Sequence, residues 1–206
     1  MGGNVFLLSI LALNFFVNIA TSSPLKDFCV ADFTSSLRLN NGFPCVDPAK
    51  VEADNFFFSG LHLAGNMTNP GSTGTTYAVV YVNQIPGLNT QGMSIARVDI
   101  AENGIIAPHY NPGSSQIVTV LEGSMEVGFV TSSPDYRHFR KVLEKGDVFG
   151  IPEGLVHYMR NVGAGNVVFL VALNTESPRT TYVPHVLFAA NPGIDAGFLS
   201  RVSALK

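Results

Sequence analysis

From Phe56 onward the chain alternates short apolar runs with clusters of Gly, Pro and Asn. The runs are rich in β-branched and aromatic residues, which favour a pleated, half-buried surface. They predict strands at Tyr77–Val82, Met93–Ile100, Ile117–Leu121, Met125–Val130, Val142–Leu143, Val148–Phe149, Val156–Met159 and Val167–Leu173. Many short strands at close spacing predict an all-β sandwich or barrel, of which the jelly roll is one form. A different pattern at the end of the chain, Ile194 to Leu205, predicts a short helix with Asp195 in its first turn. Before Phe56 the periodicity fades. Residues 24–54 read as an arm interrupted by Pro44 and Pro48, and residues 55–206 as the main domain.

Residues 1–23 read as a secretory leader. Val5 to Ala20 is apolar apart from two Asn, and small residues follow. A membrane anchor is the alternative, but the run falls short of the ~20 residues that span a bilayer. The mature chain is therefore expected outside the cell and off the membrane. Of 206 residues, 46% are hydrophobic and only 13% are charged. That charge is about half the usual share of roughly 25%, so much surface should be buried within the fold or between subunits. The net charge of −3 and the lack of a Lys/Arg run argue against a nucleic-acid partner.

An oxidising compartment gives the two cysteines a meaning. Cys29 and Cys45 are an even pair and suggest one disulfide, with two free thiols as the alternative. Asn66-Met67-Thr68 is a glycosylation sequon, which makes Asn66 a candidate acceptor.

The candidate chemistry lies in two motifs. The first runs from Gly104 through Pro108, His109 and Asn111 to Gln116 and Gly123; the second runs from Gly146 through Pro152, Gly154 and His157 to Asn161. Strand alternation puts His109 and Asn111 on one face. Turn chemistry at Pro112-Gly-Ser-Ser115 then returns the chain so that Gln116 can meet them. His157 follows the turn at Pro152-x-Gly154, so these four groups can converge inside a barrel. Tyr110 and Tyr158 should face away. His62, His138 and His185 lack a comparable motif and read as surface or ordinary packing. Lys145-Gly146-Asp147 reads as a hairpin turn. No hydrolase elbow, phosphate loop or dinucleotide fingerprint is present.

Both motifs resemble those of the cupin superfamily, specifically the germin-like proteins of plants. Asp27-Phe-Cys29-Val-Ala-Asp32, Gly42-Phe-Pro-Cys45, Phe57-Phe-Ser-Gly-Leu61, Ile85-Pro-Gly-Leu-Asn89 and Val127-Gly-Phe-Val-Thr131 extend the likeness over nearly all of the mature chain. The resemblance implies a cupin jelly-roll β-barrel with a short C-terminal helical segment. It also implies a secreted, glycosylated homo-oligomer of the apoplast and cell wall, built as a trimer of dimers. Its metal site is implied to be three His and one Glu around manganese, supporting oxalate oxidase and superoxide dismutase activities. The metal positions fall on His109, Asn111, Gln116 and His157, so an amide stands where the family has its second His and another where it has its Glu.

Two imidazoles and two amide oxygens leave a divalent charge uncompensated, and Mn²⁺ sits at the weak end of the affinity order. Three functions are compatible with this donor set. The site could take manganese weakly and retain dismutase-like activity. The barrel could be a metal-independent enzyme acting on a small plant metabolite, with His109 and His157 as catalytic acid and base. Or it could be a non-enzymatic wall or binding protein.

Overall fold

The computed structural model describes residues 27–37, 39, 42–66 and 73–204. The leader expected at residues 1–23 lies outside them, as do Met67 and Thr68 of the sequon. The described part is mostly β: ten strands, three single 3-10 turns and two short helices.

In chain order the strands are β1 (Thr75–Val80), β2 (Ser94–Ile100), β3 (Ile105–Tyr110), β4 (Gln116–Glu122), β5 (Met125–Val130), β6 (His138–Leu143), β7 (Val148–Ile151), β8 (Val156–Asn161), β9 (Val167–Leu173) and β10 (Thr181–Tyr182). Helix α1 (Val183–Phe188) follows directly, and α2 (Ala196–Ser203) comes last. The strands form two antiparallel sheets, ordered β1-β2-β9-β4-β7 and β10-β3-β8-β5-β6. Apart from the β1–β2 and β5–β6 hairpins, strands adjacent in sequence alternate between sheets, which closes them into a jelly roll with one core between.

Alternation fills that core. Ala96, Val98 and Ile100 point inward from β2, as do Val118 and Val120 from β4 and Val167, Phe169 and Val171 from β9. The facing sheet supplies Ile106, Met125, Val127 and Met159. Burying each large apolar side chain contributes roughly 1.5–3 kcal/mol.

Most expected strands are present, with ends shifted by one or two residues. β6 starts four residues before the expected Val142, because its outward residues are polar and hide the pattern. α2 is shorter than the expected Ile194–Leu205. Asp195 is its N-cap, and its carboxylate accepts from the Phe198 N–H at 2.7 Å. α1 was not anticipated, since Tyr-Val-Pro-His-Val-Leu-Phe reads locally as an extended apolar run. Pro184 sits in its first turn, where a missing N–H costs nothing.

The arm is tied down twice. Cys29 and Cys45 form the disulfide, with Cα atoms 5.0 Å apart and a sequence separation of 16. On the chain-entropy model such a loop contributes about 3 kcal/mol. The second tie is Asn89, which is fully buried. Its Oδ1 accepts from the Phe43 N–H at 2.9 Å, and its Nδ2 donates to the Phe43 carbonyl at 2.8 Å. Val30 and Ala31 are buried too, so the arm packs as well as being cross-linked.

Candidate functional site

The site lies between the sheets where β3, β8 and β10 run side by side. His109 pairs in register with His157 on β8 and with Tyr182 on β10. The His109 ring centroid is 4.1 Å from that of His157 and 5.4 Å from that of Tyr182. The opposite sheet supplies Gln116, the first residue of β4. The β3–β4 turn supplies Asn111 and is pinned at its far end, where the Ser115 N–H donates to Asn174 Oδ1 at 2.8 Å. The four residues singled out from the two motifs are therefore brought together, and all four are buried.

Hydrogen bonds join His157, Gln116 and Asn111 into one directed chain, with His109 beside it. Each imidazole commits Nδ1–H to a carbonyl two residues back, His109 to Ala107 and His157 to Leu155, both at 2.8 Å. That leaves a lone pair on each Nε2. Gln116 donates one amide hydrogen to His157 Nε2 at 2.6 Å and the other to Asn111 Oδ1 at 3.1 Å. Asn111 in turn donates to the Arg179 carbonyl at 2.8 Å and to Thr180 Oγ1 at 3.1 Å.

The opposite rotamer of the Gln116 amide would aim an oxygen at His157 Nε2. With Nδ1 already a donor, that contact would require a charged imidazolium. Burial, followed by repulsion from His109, instead pulls His157 down to about 4. Burial lowers His109 as well, partly offset by its bond to Ala107. Both rings are therefore neutral at physiological pH.

A cavity of about 120 Å³ opens beside this chain. His109, Asn111 and Gln116 line it, whereas His157 does not, because the Gln116 side chain stands in front of it. The remaining walls are mostly apolar, including Val79, Val98, Ile106, Met159 and Phe169. Tyr77 and Tyr182 border the space, and the Tyr182 hydroxyl donates to that of Tyr77 at 3.3 Å. Partial burial and then this bond push the Tyr77 phenol well above its ordinary value, so it stays protonated. Neither tyrosine stood out in the sequence. They lie 105 residues apart and meet only through β1 and β10.

The other expectations are also placed. Tyr158 points to the outer face, where it donates to Glu126 Oε1 at 3.0 Å and meets His138 Nε2 at 3.0 Å. His138 is exposed on β6, as expected. Glu126, buried on the same face, is held by Arg160 and Arg140, an ion cluster that drew no attention in the sequence. Asn66 is exposed. Among the described residues, no three His, Cys, Asp or Glu side chains gather as a metal-binding group.

Comparison with known proteins places this architecture. The cupin family model matches residues 61–205. Germin-like protein 5-1 of Oryza sativa subsp. japonica is 46% identical over 178 residues, covering 84% of this chain and 76% of that one. Among solved structures, an oxalate oxidase in complex with glycolate superposes with a TM-score of 0.80 at 34% identity, covering 89% of this chain and 90% of its own. Peruvianin-I, described as a cysteine peptidase from Thevetia peruviana latex, superposes at 0.71 with 38% identity, covering 78% of this chain and 96% of its own. Identity at this level over most of the length, on the same barrel, shows that the chain belongs to the cupin family and, within it, to the germin-like proteins.

Proposed function

We propose that this chain is a secreted germin-like cupin whose barrel pocket serves a small organic ligand and does not hold manganese tightly. The observation that carries the reading is the Gln116 amide, which spends both hydrogens on His157 Nε2 and Asn111 Oδ1. The donors present do not suit a tightly held Mn²⁺. Two neutral imidazoles and two amides carry no anionic oxygen to balance the double charge. Loading an ion between the two imidazoles would also require Gln116 to withdraw its amide nitrogen from His157 Nε2. Two amide hydrogen bonds would break, at a cost of about 0.5–1.5 kcal/mol each. A half-open, largely apolar space with a few polar groups suits a small molecule instead.

On this reading His109 is the group that meets the ligand, and it would serve as the base in any proton transfer. His157 would support from behind Gln116. Cysteine peptidase chemistry is not open to this chain, since its two cysteines are joined to each other.

Secretion to the apoplast is supported by that disulfide and by the apolar leader. Glycosylation at Asn66 is supported by its exposure on the surface. Assembly as a trimer of dimers is supported by exposed apolar residues on the outer sheet face, Ile117, Leu121 and Val148, and on the helices, Val186, Phe188 and Phe198.

A second reading keeps a loosely bound first-row metal with dismutase-like activity. What favours it is that both Nε2 lone pairs point inward, fixed by carbonyls at Nδ1 in the manner of metal-binding histidines. Elemental analysis of secreted protein kept free of chelators decides between them. The expected result is well under one manganese per chain, rising toward one in an Asn111→His, Gln116→Glu double variant. Stoichiometric manganese in the native chain would sink the first reading.

A further inference from the structure

We propose that the pocket is built to accept a hydrogen bond, and that its ligand is a small neutral molecule carrying a hydroxyl group, of about the size of phenol. This rests on the pocket reading above and specifies what the pocket selects.

The nitrogen donors facing the space are already committed within the protein. Both Gln116 amide hydrogens go to His157 and Asn111. Both Asn111 amide hydrogens go to Arg179 and Thr180. The His109 Nδ1–H goes to Ala107. What remains for a guest is the lone pair on His109 Nε2 and the Gln116 carbonyl oxygen, both acceptors. The donors left over are the hydroxyls of Thr180 and Tyr77, which line the cavity but sit on exposed residues, whereas His109 and Gln116 are buried. A guest therefore meets acceptors at depth and must bring its own hydrogen.

Charge and size narrow the class further. None of the residues lining the cavity is a Lys or Arg, so a carboxylate would lose its hydration without gaining a partner. The walls Val79, Val98, Ile106, Met159, Phe169 and Val171 suit an apolar body. At about 120 Å³ the space is close to an apolar cavity of roughly 150 Å³ that takes up benzene. One ring with one hydroxyl satisfies both requirements.

The test uses the full secreted protein and calorimetric titration with phenol, toluene, benzoate and glycolate. Phenol is expected to bind about five- to tenfold more tightly than toluene, the yield of one net hydrogen bond. Benzoate and glycolate are expected not to bind at millimolar concentration. In His109→Leu the preference for phenol should vanish while toluene binding stays. Equal affinity for phenol and toluene in the native protein would overturn this inference and leave the apolar pocket standing. Tighter binding of benzoate or glycolate would overturn it as well, since it would reveal a cationic site. Binding of none of the four would remove the pocket reading itself. The native ligand series decides these outcomes even if the variant fails to fold, which a thermal melt would reveal.

Discussion

Strand β8 carries two polar clusters that differ only in which side of the sheet they face. Inward lie His157, Met159 and Asn161, all buried. Outward lie Tyr158 and Arg160, which meet Glu126 and, through it, Arg140. The inner cluster is neutral and is held by amides and carbonyls. The outer one is ionic, and its cations are half exposed. Hydration explains the difference. A charge facing water keeps most of its solvation, so an ion cluster costs little there, and it also contributes little. A charge facing the barrel would lose that solvation, so the inner side settles on neutral imidazoles capped by amide donors.

The contrast predicts unequal sensitivity on the two sides. The largest effect should come from Asn161→Ala. Its buried amide donates to the carbonyls of Ile100, Ala101 and Gly165 and accepts from the Gly163 N–H, so the variant removes the side chain that ties the end of β2 to the turn after β8. A loss on the order of 3 kcal/mol is expected, read as a fall in the urea midpoint. No change in midpoint would mean that water replaces the side chain.

Acid should separate the clusters by pH window. His157 has an ordinary value of 6.5 and a folded value of about 4, so between these the unfolded chain binds a proton that the native state refuses. Stability is therefore complete above 6.5 and lost as pH falls toward 4, by at most roughly 3 kcal/mol for His157, with His109 acting in the same direction. Glu126 behaves as a depressed carboxylate, held down chiefly by its bond from Arg160. Its contribution is present above 4.5 and fades at lower pH. Urea midpoints measured from pH 7.5 to 3.5 should thus begin to fall well above the carboxylate range. A midpoint flat down to pH 5 would contradict neutral buried imidazoles.

A smaller effect is expected from Gln116→Met, which fills similar space but leaves His157 Nε2 and Asn111 Oδ1 without their donor. The cost should be about 1–2 kcal/mol, again by denaturant titration. The smallest is Arg140→Ala on the outer face. Its side chain is 62% exposed, so the change should stay below ~1 kcal/mol and shrink further in 0.5 M salt. If the outer variant cost more than the inner one, the contrast between the two faces would collapse.

Much of this was legible locally. β5 and β9 stand where their apolar runs end, because a buried strand writes its limits into β-branched residues. His109, Asn111, Gln116 and His157 were legible as a converging set from strand alternation and turn chemistry. Other features had no local signal. The stretch that becomes α1 carries no local helix signal, and it forms where β10 brings it against β3. Asn89 looks like any turn asparagine, and its burial beneath the arm depends on Phe43, 46 residues away. The seating of His157 behind Gln116 was not legible either, since residue identity does not say which way an amide turns.

Residue order alone thus determined the β character, the two motifs, the cysteine pair and the two amides that accompany the motif histidines. These follow from periodicity and side-chain chemistry, which act over a few residues. Tertiary structure decided which atoms of those side chains face one another. It turned the Gln116 nitrogen onto His157, left His109 Nε2 open to the cavity, and set Tyr77 beside Tyr182. Those outcomes depend on hydrogen-bond direction across two facing sheets, and that direction is settled only when distant strands pack and exclude water.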